Sequence, residues 1–71
     1  MITVNDITKQ VEYARKYSGL TQENYWLYVS NDGERVEARN NEKRREGYTG
    51  YFVEDDTRIK GIHTIIQKRV R

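Results

Sequence analysis

The chain contains no cysteine. A 71-residue protein without one has neither a disulfide frame nor a thiolate metal site to support a small core, so its fold must rest on apolar burial. At this length only about 60% of the unfolded surface is removed from water. That leaves room for one domain, residues 1–71, with a thin core and little stability to spare for strained catalytic geometry. Hydrophobic residues make up 35% and charged residues 34% of the chain, near the polar edge of the globular range. Six tyrosines, one tryptophan and one phenylalanine, with a supply of Val, Ile and Leu, argue for a folded chain over a disordered one. The lack of cysteine also points to an intracellular, cytoplasmic setting. The start, Met1-Ile2-Thr3-Val4-Asn5-Asp6, has no basic segment followed by an apolar run, and no stretch approaches the length that spans a bilayer.

Hydrophobic period divides the chain into elements. Val4, Ile7, Val11 and Ala14 recur at three- and four-residue steps and predict a first helix. Thr3 followed three positions on by Asp6 approximates a capping box, and Gly19 supplies a left-handed stop after basic Arg15 and Lys16. Residues 25–30, aromatic and β-branched, predict a strand. Asn31-Asp32-Gly33 predicts a tight hairpin turn of the primed type, returning through a strand at residues 34–39 in which Val36 and Ala38 share one face. Residues 40–47 contain no apolar side chain and predict a projecting loop. Residues 48–54 predict a third strand and residues 55–57 a turn. In residues 58–70, Ile59, Ile62, Ile66 and Val70 fit a helical stripe, but the succession Thr64-Ile65-Ile66 favours strand over helix.

Counting residues removes most catalytic chemistry. With one histidine and no cysteine, the usual zinc ligand sets and Cys-His nucleophilic pairs cannot be assembled within one chain. The glycines at 19, 33, 47, 50 and 61 match neither the dinucleotide fingerprint nor a phosphate loop, so no cofactor is expected. His63, beside Ile62 and Ile65, reads as an exposed or hydrogen-bonded structural residue. Glu54-Asp55-Asp56 lacks the alternating ligands of a calcium loop and reads as a solvated acidic turn, so no metal site is expected.

What remains is surface recognition. Eight aromatics exceed what a thin core absorbs, and residues 25–30 carry aromatic groups on both faces of their strand. Lys43-Arg44-Arg45 forms a basic loop flanked by Glu42 and Glu46, and residues 58–71 carry Arg58, Lys60, Lys68, Arg69 and Arg71 with no acid among them. Tyr, Trp and Arg are the usual anchors of protein interfaces. Exposed rings beside cations also stack on bases while the charges neutralise phosphates. A formal net charge of +2 is low for a dedicated nucleic-acid binder.

The segment Tyr13-Ala14-Arg15-Lys16-Tyr17-Ser18-Gly19-Leu20-Thr21-Gln22-Glu23 resembles the junction between the first two helices of repressor-type helix-turn-helix domains, where a basic helix is followed by Gly-Leu-Thr-Gln-Glu. The resemblance implies a second helix after the junction and a recognition helix beyond it. The next residues depart from the pattern. Asn24-Tyr25-Trp26-Leu27-Tyr28-Val29 lacks the small residue those domains carry in the turn, and Asn31-Asp32-Gly33 stands where the recognition helix should start. In size and in its Tyr-, Asn- and Lys-rich composition the chain is similar to small phage accessory proteins.

The expected fold is α+β, an N-terminal helix packed on a small antiparallel sheet of three to five strands. Its expected core is Ile7, Val11, Ala14, Leu27, Val29, Val36, Val53, Ile62 and Ile66. The expected function is a non-catalytic regulator or inhibitor, phage-accessory-like, that engages a host or bacterial protein. Trp26, Tyr28, Tyr48, Tyr51, Lys43, Arg44 and Arg45 are its candidate contacts. The alternative is a nucleic-acid-binding module in which Arg35, Arg39, Lys43, Arg44, Arg45, Lys68, Arg69 and Arg71 meet phosphates and Trp26 or Tyr48 stacks on bases. An uncovered sheet edge would also allow a homodimer.

Overall fold

The computed structural model describes residues 1–69. Helix α1 (Val4–Tyr17) is followed by strands β1 (Tyr25–Ser30), β2 (Val36–Arg39) and β3 (Tyr48–Val53), a short 3-10 turn (Asp56–Arg58) and helix α2 (Ile59–Arg69). The fold is α+β. The strands form one antiparallel sheet in the order β2-β1-β3. Among the described residues no helix is long and apolar enough to cross a membrane.

Local chemistry explains where α1 begins and ends. The Asp6 N–H donates to the Thr3 hydroxyl at 3.0 Å and the Asp6 carboxylate accepts from the Thr3 N–H at 2.9 Å, a capping box with the shorter acid. At the other end the Ala14 carbonyl accepts from the N–H groups of both Ser18 and Leu20, with Gly19 at a φ of 77° between them. Leu20 is thereby folded back into the core.

Register sorts the sheet into two faces. Tyr25, Leu27 and Val29 stand opposite Val53, Tyr51 and Thr49 on one side and beside Ala38 and Val36 on the other, giving the face that both helices cover. Ile7, Val11 and Ala14 of α1 and Ile59 and Ile66 of α2 complete this apolar layer. Ile2, Leu20, Tyr25, Ala38 and Ile59 join the expected core, whereas Val36 and Ile62 are only partly buried against it. Ile2 is held there by α2: His63 Nε2 lies 2.9 Å from its carbonyl oxygen, and Gln67 donates to the same oxygen at 3.1 Å. His63 is thus a structural clamp between the chain start and the last helix.

Two local expectations are corrected. Residues 59–69 are helical, not extended. Asp55 accepts from the Thr57 N–H at 3.0 Å and caps the 3-10 turn that leads into the helix. The stripe Ile59, Ile62, Ile66 lies toward the core, and Lys68 and Arg69 suit the negative end of the macrodipole. Burial of that stripe outweighs the small propensity cost of Thr64 and Ile65. Val70, the last member of the predicted stripe, lies outside the described residues.

Second, the β1–β2 connection is not a primed turn. Positive φ falls on Gly33 alone, at 76°, and the Gly33 N–H donates to the Ser30 carbonyl at 2.8 Å. The loop is longer because buried Ser30 organises it, its hydroxyl donating to Asp32 at 2.6 Å and accepting from the N–H groups of Glu34 and Arg35. The Ser30 hydroxyl, followed by the Glu34 N–H, holds the Asp32 carboxyl below its ordinary range. Residues 25–30 form the expected strand and not the helix that the helix-turn-helix likeness implies, since their alternating apolar groups are buried on the sheet.

Candidate functional site

The outer face of the sheet, opposite both helices, carries an aromatic cluster. Trp26, Tyr28 and Ser30 of β1 lie between Glu37 and Arg39 of β2 and Tyr48, Gly50 and Phe52 of β3. The Trp26 and Phe52 rings meet edge to face at 5.5 Å between centroids, and Trp26 stacks on Tyr28 at 6.4 Å. Phe52 is 47% exposed. Tyr28 is 4% exposed because Gly50, directly across the ladder, leaves room for its ring.

The loop between β2 and β3 folds over one end of this face. The Lys43 N–H donates to the Tyr28 hydroxyl, and Asn31 donates its N–H to the Gly47 carbonyl at 2.8 Å. Asn40 anchors the loop entrance, accepting from the N–H groups of Thr21 and Gln22 and donating to the Gly19 carbonyl. The Arg45 guanidinium lies over the Tyr48 ring at 4.1 Å and donates to Glu37 at 2.6 Å. Glu37 also accepts from Arg39 Nε at 2.7 Å. Partial burial would raise the Glu37 carboxyl, but the bonds from Arg45 and Arg39 outweigh it and hold the group below its ordinary value. A shallow groove results, lined by Trp26, Tyr28, Arg44, Arg45, Tyr48 and Gly50.

Of the predicted contacts, Trp26, Tyr28, Tyr48, Arg44 and Arg45 come together around this groove. Tyr28 enters mainly as support, with its hydroxyl engaged by Lys43. Tyr51 belongs to the opposite face, packed against the core with Arg69 6.0 Å from its ring centroid. Arg35 and Lys43 are exposed beside β2 and in the loop, whereas Lys68 and Arg69 lie at the end of α2. Of the basic residues of the nucleic-acid alternative, Arg39, Arg44 and Arg45 therefore share the outer face with the rings, whereas Lys68 and Arg69 lie away from it. Arg71 lies outside the described residues. Phe52 and Glu37 are part of the face without having been predicted. Period two counted back from core Val53 turns Tyr51 inward and Phe52 outward, the signal that identifies Phe52.

The acidic turn has a structural task. Asp56 pairs with Arg15 of α1 through two bonds of 2.8 and 3.0 Å and accepts from the buried Tyr25 hydroxyl at 2.8 Å. The Arg15 guanidinium lowers the Asp56 carboxyl below its ordinary value, burial opposes this, and the Tyr25 hydroxyl adds to the lowering. Burial first, and the bond to Asp56 second, push the Tyr25 hydroxyl upward. Because Asp56 is depressed in the folded state, its contribution to stability is present above the unfolded carboxylate range. It is lost as pH falls through the folded value. Asp56→Asn is expected to cost about 1 kcal/mol at neutral pH, allowing for solvent screening of a half-exposed pair. Urea unfolding at pH 7 and pH 3 checks this: the gap between wild type and variant should narrow at the lower pH.

No family model, curated protein or solved structure matches the chain.

Proposed function

We propose that the chain is a cytoplasmic, non-catalytic binding protein, a phage-accessory-like regulator or inhibitor that engages a host or bacterial protein through the outer face of its sheet. The observation that supports this reading is the half-exposed Phe52 ring set against Trp26 on a face neither helix covers. Ring pairs of this kind fill partner pockets, and the bonded charges around them, Glu37 with Arg39 and Arg45, supply a polar rim. Arg44 at the groove margin extends the contact.

A nucleic-acid partner is the second reading, favoured by the same rings beside Arg44. Glu37 neutralises two of the nearby guanidiniums, Arg39 and Arg45, which weakens this reading. Pull-down from bacterial lysate, with and without nuclease, separates the two. Retention of one protein after nuclease supports the first reading, and capture lost with nuclease transfers the function to the second. Phe52→Ala is expected to weaken the retained complex by roughly 30-fold or more, the effect of truncating an interface anchor. An unchanged affinity removes the outer face from the interface.

A further inference from the structure

Strand β2 is an edge of the sheet, and two adjoining hollows that share Gln10, Val36 and Glu37 form a groove between that edge and α1. The Ser30 N–H donates to the Arg35 carbonyl at 2.9 Å, which sets the phase of the ladder. Arg35, Glu37 and Arg39 turn their backbone groups toward β1, so Val36 and Ala38 turn theirs outward. Gln10, Tyr13 and Ser18 form the facing wall. An unpaired strand edge bordered by a helix has the geometry in which proteins accept an extended segment as an added strand.

The charges along this groove indicate which segment fits. Two of its four acids are engaged, Asp6 in the α1 cap and Glu37 by Arg39 and Arg45, with Glu34 and Glu42 left over. Lys9, Arg35 and Lys43 also line the groove, and among the described residues none of the three is paired with a carboxylate. We propose that this groove takes an extended acidic segment of another protein, which pairs with the outward backbone groups of Val36 and Ala38 as a fourth strand. A second copy of the chain fits less well, because two-fold pairing of β2 with itself would bring both sets of Lys9, Arg35 and Lys43 together. The site lies at the sheet edge, apart from Trp26 and Phe52 though bordered like the outer face by Arg45 and Tyr48, and does not depend on the function proposed for that face.

The probes are two fluorescein-labelled hexapeptides, one alternating glutamate with valine and the other lysine with valine, read by fluorescence anisotropy. The acidic peptide is expected to bind at least about tenfold more tightly than the basic one. Methylating alternate amide nitrogens of the acidic peptide is expected to weaken it by about tenfold or more, because its main chain then cannot pair. Ala38→Pro removes an outward N–H without removing a bond to β1, so it should abolish binding in a protein whose circular dichroism is unchanged. Arg35→Glu combined with Lys43→Glu should reverse the charge preference. If Ala38→Pro fails to fold, the methylated peptide decides the main-chain contribution. Equal affinity for the two peptides, no binding of the acidic one up to about millimolar concentration, or indifference to methylation would overturn the proposal. So would a dimer by sedimentation that the acidic peptide does not dissociate.

Discussion

Leu27→Ala is expected to remove about 2–5 kcal/mol of stability, the usual cost of emptying a fully buried leucine site. A chain of this length has roughly 4–10 kcal/mol in total, so the variant loses a large part of its folding free energy. Leu27 is fully buried in the central strand, between Ala38 and Tyr51 and within the layer completed by α1 and α2. Neighbours on both sides are fixed in ladders, which prevents collapse into the cavity. Phe52→Ala, on the opposite face, is expected to cost about 1 kcal/mol, the worth of its edge-to-face contact with Trp26. Denaturant unfolding of the two variants side by side measures the difference. Equal losses would make the outer face a second core and take away the basis for reading it as an interface.

Gly50→Ala is expected to destabilise the protein by about 1–3 kcal/mol, a shift of several degrees in Tm. A Cβ at this position would stand 2.8 Å from Tyr28 Cε1 and 3.3 Å from Trp26 Cε3. The Tyr28 ring has little freedom to yield, since Trp26 stacks beside it and its hydroxyl holds the Lys43 N–H. Moving the ring releases the loop between β2 and β3, so the same substitution should increase hydrogen exchange at Lys43. Thermal denaturation and exchange of that amide check the two halves. An unchanged Tm would show that the aromatic cluster repacks freely and does not hold the loop.

Much of the fold is legible residue by residue. Thr3 and Asp6 mark the start of α1, Gly19 its end, and the alternation through residues 25–30 marks β1, because each signal depends on groups a few positions apart. The last segment is harder to read. Thr64-Ile65-Ile66 favours a strand by propensity, yet Asp55 and the stripe Ile59, Ile62, Ile66 specify a helix once a sheet is present to bury that stripe. The candidate site is legible in part: Trp26, Tyr48, Arg44 and Arg45 are recognisable by type, and the period-two register that turns Tyr51 toward the helices turns Phe52 to the outer face.

The amino-acid order alone determined a small α+β chain with a surplus of aromatic rings, because periodicity and capping are short-range properties of covalent neighbours. Tertiary structure decided which rings face outward, through the register of β1 with β3. It also joined Arg15 to Asp56 and Ile2 to His63, pairs separated by 41 and 61 positions. Such contacts form only when burial has brought distant segments together, so no local pattern announces them.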